Sequence, residues 1–117
     1  MVNRSFKRSD RIADVIQHEL AILLHRHAKD PRFHAVTITA VDVSADLENA
    51  NVLVSQLDES KIAETVSALN KAAGYLRREL AQTIDLRYMP KLHFRYDDSL
   101  LRADRINKLL NDSIEKK

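Results

Sequence analysis

Asn70-Lys71-Ala72-Ala73-Gly74-Tyr75-Leu76-Arg77-Arg78 holds the only glycine of a 117-residue chain. Glycine inside a helical pattern costs roughly 1 kcal/mol relative to alanine, so its presence here asks for a reason in the backbone. Apolar spacing of three and four residues runs through Ile62, Val66 and Leu69 before it and Leu76, Leu80 and Ile84 after it. Two readings of residues 60–84 follow: one helix that tolerates Gly74, or two helices meeting at a kink around Ala72. The same scarcity excludes whole classes of site. A chain with one glycine has no Walker loop, no Rossmann fingerprint and no GxxG clamp of an ordinary KH domain.

Working outward, Met89-Pro90 is followed by the clearest strand, Lys91–Asp97, in which Leu92, Phe94 and Tyr96 point one way and Lys91, His93, Arg95 and Asp97 the other. Upstream, residues 35–44 are rich in β-branched side chains and read as a strand. Val36 and Ile38 share one parity while Val41 and Val43 share the other, which predicts a bulge near Ala40. A polar turn, Ala45–Asn49, leads to a second strand over 50–57, and the short separation predicts an antiparallel hairpin. Residues 9–28 carry Ile12, Val15, Ile16, Leu20, Leu23 and Leu24 at helical spacing, with Ser9 or Asp10 as cap, and stop at Lys29-Asp30-Pro31. Such a helix is about 30 Å long. A short last helix is expected over about 101–113, with Ile106, Leu109 and Leu110. The order α-β-β-α-(kink)-α-β, with a short C-terminal helix, predicts an α+β two-layer sandwich with a three-stranded sheet.

Composition sets further bounds. A chain of this length, 44% hydrophobic, suits one domain with a real core, expected over about 9–110 behind a basic N-terminal arm at 1–8. With no cysteine there is no disulfide, thiol catalysis or thiolate metal site, which suits a reducing cytosol. The N-terminal charges are not followed by an apolar stretch, and no apolar run approaches the roughly 20 residues of a membrane span. A cytoplasmic, membrane-free protein is expected. Net charge is only +2, but it is segregated: six basic and three acidic side chains in 1–29, two and seven in 30–66, six and two in 67–95, five and five in 96–117. This pattern builds either a dipolar molecule whose basic side seeks a polyanion or a mixed surface whose segments interleave.

Candidate chemistry is sparse. His18-Glu19 begins like a zinc-protease helix, but Ile22 stands where the second histidine belongs, and His25 and His27 fall on different helix faces. No metal or cofactor is expected. Asp97-Asp98 reads better as a cap for the last helix than as an acid–base pair. No nucleophile–base pairing stands out, so a non-enzymatic protein is expected. The basic residues are more informative. Arg4, Lys7, Arg8 and Arg11 crowd the N-terminus; Lys71, Arg77 and Arg78 surround the glycine; Arg87, Lys91, His93 and Arg95 lead into the last strand. Tyr75 and Tyr88 stand among them as stacking groups. Cations meet phosphates and aromatic rings stack on unpaired bases, so nucleic-acid binding is weighed against a merely solubilising surface.

The sequence resembles the ribosome-binding factor A family across nearly its whole length. The segments that carry this are Arg11-Ile-Ala-Asp-Val-Ile-Gln-His-Glu-Leu20, Asp30-Pro31-Arg32, Val36–Leu47, Ala72-Ala73-Gly74-Tyr75-Leu76-Arg77, Leu86–Phe94, Asp97-Asp98-Ser99 and Arg105-Ile106, in this order. The resemblance implies a KH-like domain of type II order, in which an Ala-x-Gly helix kink, here Ala72-Ala73-Gly74, replaces the GxxG loop. It implies binding to free 30S subunits and 16S rRNA, help in late assembly including 5′-end processing, a role in the cold, and release by a ribosome-associated GTPase. A monomer is expected. On this picture Lys71, Arg77 and Arg78 contact phosphates, Arg87, His93 and Arg95 extend the surface, Arg4, Lys7 and Arg8 act as a clamp, and Gly74 allows a close helix crossing. Some relatives carry a longer tail than the one ending at Lys117. Two other classes compete: a general KH-like RNA chaperone, and a protein–protein adaptor using the acidic 42–64 region.

Overall fold

The computed structural model describes residues 8–27 and 29–115. Helix α1 (Arg8–Ile22) continues into a π-helical turn at Leu23–His27, and a 3-10 turn, Pro31–Ala35, leads to strands β1 (Thr37–Val43) and β2 (Asn49–Ser55). Helices α2 (Ile62–Lys71) and α3 (Ala73–Thr83) precede strand β3 (Lys91–Tyr96), and α4 (Ser99–Glu115) follows it. The sheet order is β1-β2-β3, antiparallel in the first pair and parallel in the second. Parallel neighbours need a long crossover, and α2 and α3 supply it.

Apolar periodicity sets the layers. Ile12, Ile16 and Leu20 of α1 pack with Leu69 of α2 and Leu76 and Leu80 of α3. Their counterparts on the sheet are Val43, Ala50, Val52, Val54, Leu92 and Phe94. Val52 lies between Val41 and Phe94 in the register, at the centre of the buried face. Each fully buried aliphatic side chain here contributes roughly 1.5–3 kcal/mol relative to exposure. On the opposite face of the sheet, Lys91, His93 and Arg95 are exposed along β3.

The hairpin has its bulge where the parity of the valines changes. Ile38 pairs with Val54 and Ala40 with Leu53, so Thr39 is the extra residue, and both apolar sets turn inward. The turn that follows contains no glycine. Ser44 accepts from the Leu47 amide at 2.8 Å through its carbonyl, and the Asp46 carboxylate accepts from the Ser44 hydroxyl at 2.6 Å and the Glu48 amide at 3.0 Å. Leu47 takes the left-handed conformation, φ 65°, while packing against the core. For a leucine that backbone is unfavourable, by about 1–2 kcal/mol. Two side-chain amides reach the strands: Gln17 donates to the Ile38 carbonyl at 3.3 Å, and Asn70 both donates to the Phe94 carbonyl at 3.0 Å and accepts its amide at 2.8 Å.

The kink resolves in favour of two helices. Ala72, at φ −90° and ψ 0°, ends α2 and opens α3. The close crossing expected at Gly74 is not there. Gly74 has an ordinary helical backbone, and a Cβ on it would meet only the Arg78 guanidinium, at 3.9 Å. The bend is made by Ala72, just upstream of the glycine, and an alanine would fit at 74. The C-terminal helix is also longer than the short one expected, with 17 residues. Asp97 caps it by accepting the Ser99 amide at 3.0 Å, and no proline or glycine interrupts it. Its Ile106, Leu109 and Leu110 are exposed rather than part of the core.

Candidate nucleic-acid interface

Successive residues of a helix are 100° apart, which divides α3 into a buried side, two flanks and a crest. Leu76 and Leu80 face the core; Tyr75 and Arg77 fall on opposite flanks; Gly74 and Arg78 form the exposed crest. A groove lies against each end of this division.

The kink groove, about 600 Å³, is lined on the Tyr75 flank by Lys71, Ala72 and Tyr75 together with Lys29, Arg32 and Phe33. One of its three cations, Arg32, is closed on neighbouring carboxylates, while Lys29 and Lys71 form no ion pair among the described residues. Pro31 starts the 3-10 turn, Asp30 caps it by accepting the Arg32 amide at 2.9 Å, and the Arg32 guanidinium folds back onto the same carboxylate at 2.6 Å. It also reaches Glu64 of α2 at 3.5 Å. The hydrogen bonds from the Arg32 side chain and backbone hold the Asp30 carboxyl below its ordinary value, and Asp30 in turn raises that of Arg32. Lys71 remains as the cation next to the kink.

The hairpin groove, about 500 Å³, lies on the Arg77 flank. Arg8 from the first turn of α1, Arg77 from α3, Arg87 from the loop after α3 and Lys91 from the start of β3 meet there. They come from the two basic stretches of the sequence, which the fold brings together. Asp46 and Glu48 of the hairpin turn share the groove, so the acidic segment does not stand wholly apart. Asp46 is committed to the turn, and the Ser44 hydroxyl and Glu48 amide lower its pKa. Arg8, Arg87 and Lys91 form no ion pair among the described residues. Arg77 differs: it is half-buried, and its Nε–H donates to the Met89 carbonyl at 2.9 Å, fixing the loop that ends in buried Pro90.

The expected binding residues are therefore not one continuous set. Lys71 belongs to the kink groove; Arg8, Arg77, Arg87 and Lys91 belong to the hairpin groove; Arg78 stands on the crest between them. Arg95 and His93 lie on the exposed side of β3, where the His93 Nε2–H donates to the Asn49 side-chain oxygen at 2.9 Å. Arg11 is exposed on α1, and Arg4 and Lys7 lie outside the described residues. Arg77, expected to contact phosphates, has its Nε–H engaged by the Met89 carbonyl. Sequence reading missed Lys29, Leu47 and Asn49. A hairpin turn without glycine was the available signal for Leu47, since some residue of it had to accept a left-handed backbone. Among the described residues no three histidine, aspartate or glutamate side chains are placed to hold a metal ion. Nor is any described helix long and apolar enough to cross a membrane.

Fold and grooves together define an α+β domain of KH-like, type II order, with cations divided between grooves on the two flanks of α3 and with a helix kink rather than a glycine loop. The chain belongs to the ribosome-binding factor A family, whose model matches residues 8–110. It is 42% identical over 114 residues to ribosome-binding factor A of Chromohalobacter salexigens, covering 95% of this chain and 87% of that one. The crystal structure of ribosome-binding factor A from Thermus thermophilus superposes with a TM-score of 0.67 at 26% identity, covering 77% of this chain and 97% of that chain. A homology model of the Thermus thermophilus factor, fitted into a cryo-EM map of a 30S complex, is similar with a TM-score of 0.60 at 28% identity, over 72% of this chain and 89% of that one.

Proposed function

We propose that this protein is a non-enzymatic maturation factor of the small ribosomal subunit. It binds free 30S particles and their 16S rRNA, and assists late assembly and 5′-end processing, with its greatest importance in the cold. The observation that carries the reading is the meeting of Arg8, Arg87 and Lys91, all without carboxylate partners among the described residues, in the hairpin groove on the Arg77 flank of α3. Family membership and the Thermus relative fitted to a 30S particle support the choice of ribosomal RNA over another polyanion.

The division of labour follows the geometry. Arg8, Arg87 and Lys91 take phosphates in the hairpin groove, with Arg4 and Lys7 adding to the clamp. Lys71 and Arg78 take them at the kink, where α3 begins without a side-chain cap and Gly74 adds no bulk over its first turn. Arg11, His93 and Arg95 extend the binding surface onto neighbouring elements. Arg77 holds the loop that presents Arg87. Held in this way, immature RNA stays available to processing enzymes, and a ribosome-associated GTPase releases a monomeric, cytoplasmic factor once the particle matures.

Sedimentation on gradients at low and moderate salt tests this reading. Comigration with free small subunits and absence from translating ribosomes is the expected result. Displacement by any unrelated RNA would instead describe a general chaperone. A folded protein that stays at the top of the gradient would describe an adaptor and overturn the proposal.

A further inference from the structure

We infer that the hairpin groove captures one unpaired nucleotide, with the Tyr88 ring stacked on its base and the surrounding cations holding the adjoining phosphates. This capture deepens the proposed function and rests on it. Tyr88 is 77% exposed, an unusual position for an aromatic ring, yet the loop around it is fixed. Met89 and Pro90 are buried on one side of it, Leu86 packs against the core on the other, and Arg77 binds the Met89 carbonyl. A ring presented by an anchored loop loses little freedom on stacking.

The groove's dimensions and walls select the ligand. Its volume of about 500 Å³ lies in the range of small-ligand sites and is too confined for a duplex. Its floor is apolar, built from Ile12, Leu47, Leu86 and Met89, while Arg8, Arg87 and Lys91 stand at its margin. Phosphate binding alone would leave both the floor and the Tyr88 ring unused. A base with its flanking phosphates uses all three. Leu47 covers part of this floor at the expense of a left-handed backbone, a placement that a glycine there would not give.

One wall also discriminates between bases. Glu48 is exposed and lines the groove, and a carboxylate accepts from the exocyclic amine of cytosine, adenine or guanine. Uracil offers no such amine, so the groove prefers the amine-bearing bases to uridine. The kink groove differs in that its ring, Tyr75, is only 37% exposed and its Glu64 carboxylate is engaged by Arg32.

The test uses the full chain and short single-stranded RNA carrying 2-aminopurine, with binding followed by quenching of its fluorescence. Tyr88→Ala should weaken binding about tenfold and abolish the quench, whereas Tyr88→Phe should keep both, as expected for base–aromatic stacking. Glu48→Gln should reduce the preference for cytidine over uridine in unlabelled competitors. Wild-type binding insensitive to Tyr88→Ala, or equal loss with double-stranded RNA, would overturn the pocket. Parallel sedimentation of the wild type with small subunits separates the two levels: comigration without quench defeats the pocket alone, and absence of comigration defeats the proposed function.

Discussion

The two grooves beside α3 contain similar numbers of cations but differ in what those cations are doing. In the kink groove, Arg32 is held by Asp30 at 2.6 Å and by Glu64 at 3.5 Å, which leaves Lys29 and Lys71 as its cations without an ion pair among the described residues. In the hairpin groove, Arg8, Arg87 and Lys91 have no carboxylate partner among the described residues. A count of basic residues therefore overstates one groove and understates the contrast between them. What a polyanion meets is the charge left after local pairing, and that is set by the fold.

The sharpest way to break this comparison is charge reversal. Arg87→Glu with Lys91→Glu should lower affinity for small subunits about 100-fold and flatten the salt dependence by about one unit for each phosphate no longer neutralised. Arg32→Glu in the kink groove, where the charge is already paired, should change it only a few-fold; a loss equal to that from Arg87→Glu alone would mean that pairing does not matter. Next in size is Arg77→Ala, which leaves the Met89 carbonyl short of a donor and should cost about 1–2 kcal/mol of stability by urea denaturation. Binding in the hairpin groove should weaken with it, because the loop carrying Arg87 loosens.

Gly74→Ala probes the crest between the grooves. It should stabilise the fold by up to about 1 kcal/mol, since the added methyl has room, while reducing affinity for RNA that approaches the start of α3. Freeing Arg32 would make the two grooves more alike. Asp30→Asn with Glu64→Gln keeps an oxygen to cap the 3-10 turn but removes both charges, and should raise RNA affinity a few-fold in a direct titration. The smallest effect is acid dependence. Hydrogen bonds from Arg32 hold Asp30 below its ordinary value of 3.8. Its contribution to stability is therefore present above the unfolded value and lost as pH falls through the lower folded one. An NMR titration of the Asp30 carboxyl should find it below 3.8, and Arg32→Ala should return it upward.

The elements of the fold were legible because each rests on local pattern. The parity change between Ile38 and Val41 forecast the bulge, and Met89-Pro90 marked the start of β3. The kink remained open between two readings, since nothing in Ala72 itself announces a backbone at φ −90°. Basic residues were legible as candidates but not as groups. The Arg32–Glu64 pair joins residues 32 apart in sequence, and the Arg77–Met89 bond depends on how a loop returns along a helix. Neither leaves a periodic trace. The resemblance to a known family supplied the role of the kink; the pairing that distinguishes its two sides is visible only in three dimensions.

Asn70 guards a different kind of boundary. A strand at the margin of a sheet is a template on which another chain can be laid down, copy after copy. By offering both halves of its amide to Phe94, Asn70 mimics one rung of a missing fourth strand. Gln17 adds a shorter reach to the far margin, at Ile38. The two side chains thus occupy, at Phe94 and at Ile38, backbone groups that an added strand would need, in a sheet that does not close on itself.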